Sequence, residues 1–337
     1  MTAPPAAHDF LTRCGWGSAE VRPLAGDASF RRYFRAHRNG RTAVLMDAPP
    51  PHETILPFWA VGTHLAAQGV SVPSIYGADA EQGLMLLEDL GDALVVEALA
   101  HGASELDLYA AATDVLVALH AEQPPEALPG LHAPHLLPLY DASRALFEVN
   151  LLLDWTWPAL TGAEAPEALR AEFTGLWAQA LAALDGDPLR LVQMDYHSPN
   201  LLWLPERTGL RRIGVLDFQD ARRGSAAYDL VSLLQDARRD VPAEIEAAMR
   251  ARYCAARPDL DAPLFEAAYA FWGAQRATRI LGVFVRLHRR DGKPGYLKHI
   301  PRMWRLLERN LAHPTLRMLQ TWFSTHLSTD IRTQPIP

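Results

Sequence analysis

The first ninety residues alternate between apolar and polar positions in the way that is typical of short strands. Residues 30–35 and 42–47 carry this alternation and predict two strands. Asn39 and Gly40 lie between them and predict a tight hairpin, because both residue types tolerate a positive φ. Residues 74–78 and 84–87 predict two more strands. We therefore expect a small sheet of about five strands in this region.

The apolar spacing changes to a helical period at residues 52–68, where Ile55, Phe58 and Leu65 share one face. Gly69 is the predicted end of this helix. Beyond Gly91 most of the chain has helical spacing. The predicted helices in its first half are residues 94–101, 106–122, 141–153 and 166–184.

One group of predicted strands interrupts the helical part of the chain. It consists of residues 189–195, 201–204 and 212–217, with a hairpin loop at residues 205–209. Helices are predicted to resume near Tyr228 and to continue to the neighbourhood of Pro314. These patterns predict an α+β fold, with a change of character after residue 90 and a polar, frayed tail at residues 324–337.

Composition and charge exclude several classes of function. The chain has 337 residues, of which 49% are hydrophobic and 21% charged, so a sizeable buried core is expected. Its net charge of -7 argues against a general nucleic-acid binder. Two cysteines outside any metal-binding spacing, and no run of about 20 apolar residues, predict a cytoplasmic protein that does not bind membranes.

Asp195, Asn200 and Asp217 are the residues that predict chemistry. Asp195 and Asn200 have the Asp-x-x-x-x-Asn spacing of a kinase catalytic loop, and Asp217 ends an apolar strand as the metal-binding Asp of a kinase does. Because the two metal-site candidates end adjacent strands of one hairpin, we expect their side chains to converge. Such a pair often arises by chance. The order of the motifs, the hairpin between them, the apolar runs around them and the predicted N-terminal sheet together favour a site.

Phosphoryl transfer explains why these residue types are needed. A carboxylate at Asp195 can accept the proton of the attacking hydroxyl. Asn200 and Asp217 supply the hard oxygen ligands that Mg²⁺ prefers. The sequence therefore predicts a kinase site with Asp195 as base and with ATP and Mg²⁺ as cofactors.

Several motifs resemble a known group of kinases. Residues 197–202 (HSPNLL) and 214–220 (GVLDFQD) resemble the aminoglycoside phosphotransferase and choline kinase superfamily. Residues 26–34 (GDASFRRYF), 45–50 (LMDAPP) and 86–91 (LLEDLG) resemble, more narrowly, the bacterial anomeric kinases of N-acetylmuramate and N-acetylglucosamine. The resemblance extends from about residue 10 to residue 315.

The resemblance implies a two-lobed protein-kinase-like fold. A small antiparallel sheet with one helix would form an N-lobe at residues 1–90, and a larger, mostly helical C-lobe would follow at residues 91–323. It also implies phosphorylation of the anomeric 1-hydroxyl of a small amino sugar in peptidoglycan recycling. Neither an obligate protein partner nor a nucleic acid is inferred. The implied nucleotide-binding residues are Gly26, Asp27, Ala28, Ser29, Arg31 and Arg32 at the phosphates, and Glu88, Asp89 and Leu90 at the adenine.

The chain departs from protein kinases at the third strand. Residues 42–47 contain no Lys, although protein kinases use one there to contact the phosphates. One hypothesis is that Arg31, Arg32 or Arg41 supplies the missing cation. The competing interpretation, which the sequence favours equally, is that these arginines are solvated charges of the hairpin.

The acceptor site is harder to place from the sequence. The candidates are His197, Arg144, Trp155, Arg276 and Arg279, since N-acetylmuramate carries a carboxylate that needs a cation and since sugar rings stack on aromatic faces. Core packing is the commoner role of Trp, and a hydrogen-bonding role in the loop is favoured for His197.

Two other functions stay open from the sequence. One is a kinase of the same superfamily for an aminoglycoside, choline or homoserine, although Arg222 and Arg223 make a polycationic substrate less natural. The other is a nucleotide-binding pseudokinase scaffold, which the missing Lys supports and the three site residues oppose.

Overall fold

The strands of the protein are short. A computed structural model describes residues 2–24 and 30–336. The strands are β1 (Glu20–Pro23), β2 (Arg32–Arg38), β3 (Arg41–Asp47), β4 (Ile75–Asp79), β5 (Leu84–Glu88), β6 (Ala127–Leu128), β7 (His135–Leu136), β8 (Leu189–Val192), β9 (Leu201–Trp203), β10 (Ile213–Val215) and β11 (Arg222–Ser225).

Helices make up most of the rest. They are α1 (Ala7–Arg13), α2 (Leu56–Ala67), α3 (Val95–Ala100), α4 (Glu105–Leu119), α5 (Ala142–Leu151), α6 (Trp157–Thr161), α7 (Glu167–Ala182), α8 (Ala226–Leu234), α9 (Ala243–Ala256), α10 (Ala262–Arg289), α11 (Ile300–Leu311), α12 (Arg317–His326) and α13 (Thr329–Arg332). The α+β class expected from the sequence is confirmed.

The chain forms two compact units. The first unit is Met1–Ala118, Pro125–Leu137 and Ser198–Ala221, and the second is Leu119–Pro124, Pro138–His197 and Arg222–Pro337. Each unit is described by itself below. The sequence-based division at residue 90 stays a prediction.

A five-stranded antiparallel sheet is the centre of the first unit. Its strand order is β1-β2-β3-β5-β4. Asn39 and Gly40 join β2 to β3 with φ values of 49° and 73°, so the predicted hairpin is confirmed. Apolar side chains of β2, β3 and β5, such as Phe34, Leu45 and Leu86, are buried against one another.

Helix α1 also packs on this sheet, and the sequence analysis missed it. Phe10 and Leu11 of α1 belong to the buried cluster of the sheet. The helix has only 7 residues, which is too short for a clear helical period, and its stability comes from this packing.

The predicted hairpin after residue 200 is confirmed, and the structure adds one strand that the sequence did not predict. Strand β9 pairs with β10 as expected, but β8 pairs with β11, which the sequence did not predict. Strand β11 reads Arg-Arg-Gly-Ser, a sequence without strand-like alternation. Its register against β8, with Arg222 opposite Val192 and Ser225 opposite Leu189, creates the strand.

The second unit is built around α10, a helix of 28 residues. The Asp261 side chain accepts a hydrogen bond from the Leu264 backbone N–H at 3.0 Å and caps its first turn. Most of its middle residues are buried, including Trp272, Gln275 and Arg276. Helix α10 packs against α5, α8 and α11, so side chains from distant parts of the chain meet on it.

The sequence and the structure also differ after residue 150 and at the tail. The predicted helix at residues 141–153 ends as α5 and continues as a π-helical turn, Leu152–Thr156. The prediction of a frayed tail from Ser324 is wrong as far as α13. Arg332 of α13 lies over the Trp304 ring at 5.0 Å and bonds Glu308, which holds these residues on α11. Over residues 2–24 and 30–336, the helices are too short or too polar to cross a bilayer.

Candidate active site

Asn200 and Asp217 come together in the first unit, as the hairpin predicted. Asn200 ends a 3₁₀ turn that leads into β9, and Asp217 follows β10. The Asn200 Nδ2 lies 3.4 Å from the Asp217 Oδ2. The Gln219 Nε2 donates to the other oxygen, Asp217 Oδ1, at 2.7 Å. The pair therefore offers an amide and an exposed carboxylate side by side.

The backbone of Asp217 is strained and held by packing. Its φ of 57° lies in the left-handed region, which a side chain other than Gly rarely adopts. Phe218 is fully buried, and its ring centroid lies 4.6 Å from that of Phe58 in α2. A Cβ on Gly62 of α2 would lie 3.1 Å from the same ring, so Gly62 gives Phe218 its space. This packing fixes where the Asp217 carboxylate stands.

Asp195 lies in the second unit, in a loop with its own anchor. The fully buried carboxylate of Asp229 accepts hydrogen bonds from the backbone N–H of Gln193 at 2.7 Å and of Met194 at 3.1 Å. Met194 has a φ of 72°, so this anchor stabilises a strained backbone. Asp195 itself is half-buried. Asp229 therefore anchors the loop that carries Asp195.

His197 is a buried residue of the same loop. Its exposed fraction is 6%, and the Arg238 Nη1 lies 3.5 Å from its Nε2. Burial lowers the pKa of His197 to about 4, with the positive charges of Arg276 and Arg238 acting in the same direction and Asp236 and Asp195 opposing them. His197 is therefore neutral at physiological pH.

The three hairpin arginines that are candidates for the missing cation have different surroundings. Arg41 lies over the Trp16 ring at 5.7 Å. The Arg32 Nε donates to the buried Asp47 carboxylate at 2.7 Å. Arg31 forms an ion pair with Glu53 at 3.0 Å, and both side chains are less than one-fifth exposed, at 12% and 18%.

Arg31 is also the arginine that shares an electrostatic environment with Asp217. The pKa of Tyr33 is raised, chiefly by burial; Arg31 opposes the rise, and the negative charge of Asp217 adds to it. Both groups therefore act on the same phenol within the first unit.

Similarity to known proteins decides the family. A model of the "Phosphotransferase enzyme family" matches residues 20–264. The chain belongs to this family.

Two relatives and two solved structures show how far the similarity extends. A Caulobacter vibrioides protein named N-acetylmuramate/N-acetylglucosamine kinase is 39% identical over 96% of this chain and 96% of its own length. A Pseudomonas aeruginosa protein of the same name is 35% identical over 88% of this chain and 86% of its own length. A microcompartment-associated aminopropanol kinase has a TM-score of 0.64 at 20% identity and covers 93% of this chain and 98% of its own. A choline/ethanolamine kinase family protein of Mesorhizobium loti has a TM-score of 0.60 at 15% identity, covering 95% and 98%.

The phosphotransferase is therefore an enzyme that transfers phosphate, and its protein-kinase-like fold is confirmed. Both conclusions agree with what the catalytic motifs implied.

The residues expected at the adenine have structural side-chain contacts. Glu88 accepts from Arg207 at 2.8 Å and from the Ser74 hydroxyl at 2.8 Å. Burial disfavours the charged form of Asp89, but hydrogen bonds from Arg35 and the Gly91 backbone outweigh it, so the pKa of Asp89 is lowered. Leu90 is half-buried. The expected place of these three residues at the adenine stays a prediction.

Four predicted nucleotide-binding residues, Gly26, Asp27, Ala28 and Ser29, lie outside the described residues. Their expected place at the phosphates stays a prediction.

The candidate acceptor residues of the second unit have different surroundings. Arg144 and Arg279 both contact the carboxylate of Glu148. Arg276 is only 4% exposed and its Nη1 lies 3.3 Å from the Gln235 carbonyl, which favours a structural role. Trp155 is half-buried in the π-helical turn.

The sequence analysis missed Glu148 and Arg238. Arg144 and Glu148 have the i,i+4 spacing of a helical ion pair, which was an available signal. Arg238 and His197 are 41 positions apart in the chain, so local sequence periodicity could not predict their contact.

The oxygen donors of the Asn200 and Asp217 pair fit magnesium. Among residues 2–24 and 30–336, no cluster of three or more His, Cys, Asp or Glu side chains is arranged to hold a metal ion. Mg²⁺ in kinases needs no such cluster, because one or two protein oxygens, phosphate and water complete its octahedron. The pair has the composition of such a site.

Proposed function

We propose that the phosphotransferase is a magnesium- and ATP-dependent kinase that phosphorylates the anomeric 1-hydroxyl of N-acetylmuramate and N-acetylglucosamine. The juxtaposition of Asn200 and Asp217 at 3.4 Å carries the kinase chemistry of this proposal. The sugar specificity is supported by four relatives named for this activity, at 34–39% identity. The solved structures named for other acceptors are 20% identical or less and support the fold alone.

In the proposed reaction, the sugar O1 forms a bond to the γ-phosphorus of ATP while the bond from that phosphorus to the bridging oxygen breaks. The Asp195 carboxylate orients the hydroxyl and accepts its proton, and ADP leaves. Asn200 and Asp217 would hold the magnesium ion, and this ion would offset the charge of the phosphates. Asp229 keeps the backbone before Asp195 in its strained conformation, so the base is fixed before the substrate arrives.

Arg31 is our candidate for the cation that replaces the missing strand Lys. In protein kinases a strand Lys forms an ion pair with a helix Glu. Here Glu53, three residues before α2, holds Arg31 at 3.0 Å. Arg41 is engaged with Trp16 and Arg32 with Asp47, which supports Arg31 over both.

The setting proposed for this activity is the cytoplasm, where ATP is available and where the product would enter peptidoglycan recycling. The free thiols of Cys14 and Cys254 are compatible with a reducing compartment.

One experiment tests the function directly. The purified protein is incubated with MgATP and either amino sugar, and the products are followed by ³¹P NMR. We expect a sugar 1-phosphate and ADP, and no sugar phosphate from Asp195→Ala. ATP binding without transfer to either sugar would reject this function and would favour a pseudokinase or another acceptor.

The role of Arg31 has a separate test. Arg31→Ala is expected to raise the KM for ATP on the order of tenfold or more, because a charge-assisted bond to phosphate is lost. Arg41→Ala removes the same group from the hairpin and should leave this KM within about twofold. An equal KM in the two variants would contradict the assignment.

A further inference from the structure

The inference concerns the acceptor and rests on the proposed function. Five residues of the second unit meet around one carboxylate, and we call them the Glu148 cluster: Tyr140, Arg144, Glu148, Tyr228 and Arg279. The Glu148 carboxylate accepts from the Tyr140 hydroxyl at 2.5 Å and from the Arg144 Nε at 2.6 Å. The Arg279 Nε lies 3.4 Å from its Oε2.

Burial differs strongly within the Glu148 cluster. Glu148 is 1% exposed, whereas the Arg144 and Arg279 side chains are 45% and 23% exposed. Glu148 therefore fixes the inner edge of both guanidinium groups while their outer parts reach solvent. Two cations against one anion leave the cluster a net positive charge.

Both arginines keep donors for a ligand. Arg144 uses its Nε for Glu148, and Arg279 uses its Nε for Glu148 and its Nη1 for the Tyr228 hydroxyl at 3.1 Å. Within residues 2–24 and 30–336, Arg144 Nη1 and Nη2 and Arg279 Nη2 donate no hydrogen bond. Guanidinium groups with free N–H donors recognise carboxylates with high geometric specificity.

The Glu148 cluster is electrostatically coupled to the proposed base. Burial disfavours the charged form of Arg279, but the Tyr228 phenol and the negative charges of Glu148 and Asp195 outweigh it and raise the pKa of Arg279. Asp195 also contributes to the raised pKa of Tyr228, whose largest cause is burial. A ligand of the cluster would therefore be close enough to sense the charge of Asp195.

An exposed aromatic side chain accompanies the arginines. Phe147 follows Arg144 by three positions on α5, so it lies one turn away on the same side of the helix. Its exposed fraction is 60%, which is unusual for so large an apolar residue. A positive edge beside an apolar ring suits a ligand that carries both a carboxylate and an apolar ring face or methyl group.

We propose that Arg144 and Arg279 bind the carboxylate of the lactyl arm of N-acetylmuramate and so determine the preference for this sugar over N-acetylglucosamine. N-acetylglucosamine has a hydroxyl in place of the lactyl ether and has no charge to offer the arginines. Glu148 is a positioning residue, since it acts on the ligand through the two guanidinium groups. Arg276 has no part in the site because it is buried against the Gln235 carbonyl.

The test compares kcat/KM for N-acetylmuramate, its neutral lactyl amide and N-acetylglucosamine. Arg144→Gln should lower the ratio of N-acetylmuramate to N-acetylglucosamine on the order of 10- to 100-fold, the effect of losing a charge-assisted hydrogen bond. It should discriminate far less than the wild type between N-acetylmuramate and the amide. Arg144→Lys keeps the charge and should retain part of the ratio. Glu148→Gln should also lower the ratio of N-acetylmuramate to N-acetylglucosamine, mainly by raising the KM for N-acetylmuramate.

Arg170→Gln is the matched control. Arg170 is a half-exposed arginine of the same unit that pairs with Asp154 at 2.8 Å, and its loss should leave the ratio at the wild-type value. A wild-type ratio in Arg144→Gln would overturn the inference. So would an equal loss of kcat/KM for all three acceptors, which would place the cluster at the transferred phosphoryl group. If the wild type phosphorylates neither sugar, the proposed function and this inference fail together.

Discussion

Two carboxylates of this phosphotransferase have opposite surroundings. Asp217 is exposed at the end of β10, and two amide side chains, Asn200 and Gln219, donate to it. Glu148 is buried on α5, and two guanidinium groups and a phenol surround it. An exposed carboxylate among amides can accept a cation from solution, whereas a buried one among cations is part of the structure.

The backbone conformation also differs between Asp217 and Glu148. Asp217 has a φ of 57° and depends on the packing of Phe218 against α2. Glu148 lies within the regular helix α5. The strained backbone is therefore at Asp217, where the proposed chemistry takes place. Glu148, which positions Arg144 and Arg279, has an unstrained helical backbone.

The largest effect is expected at Asp217. Asp217→Asn tolerates the positive φ but loses the charge that would hold magnesium, so kcat should fall on the order of 10³-fold. Because Asp217 is exposed, the melting temperature should hardly change. Steady-state kinetics and thermal unfolding measure the two effects. Asp220→Asn, at an exposed carboxylate three residues later, should leave kcat within about twofold.

The second prediction concerns Glu148, where we expect a large loss of stability. Glu148→Gln removes the carboxylate that pairs with Arg144 and Arg279, and the free energy of unfolding should fall by about 3 kcal/mol. Chemical denaturation measures it. Glu308→Gln breaks an ion pair whose acid is 52% exposed and should cost less than about 1 kcal/mol. Equal losses in the two variants would remove the distinction between buried and exposed carboxylates.

The smallest effect is a pH dependence of stability at His197. Burial lowers its pKa from 6.5 to about 4, helped by Arg276 and Arg238 and opposed by Asp236 and Asp195. Between these pH values the unfolded chain binds a proton that the folded chain does not, so the free energy of unfolding falls as the pH drops from 6.5 to 4. Denaturation at several pH values should show a shallower fall for His197→Gln. An identical slope would show that other groups cause it.

The sequence predicted the Asn200 and Asp217 pair because its geometry is local. The two residues are 17 positions apart, Asn200 just before β9 and Asp217 just after β10, and a motif marks each of them. Asp229 lies in the first turn of α8, soon after these motifs in the chain.

The Glu148 cluster could not be assembled from the sequence. Its members come from α5, α8, α10 and the segment before α5, and only their packing brings Tyr140 to Arg279 around one carboxylate. Strand β11 was missed for the same reason, because its pairing with β8 and not its own residues makes it a strand. Local periodicity carries no information about such contacts.

The magnesium dependence of nucleotide binding tests the central claim most directly. Isothermal titration of ADP, with Mg²⁺ or with EDTA, is compared between the wild type and Asp217→Asn. We predict that Mg²⁺ strengthens ADP binding to the wild type on the order of tenfold or more and has little effect on the variant. The same strengthening in both proteins would mean that Asn200 and Asp217 do not hold the metal, and would contradict the account.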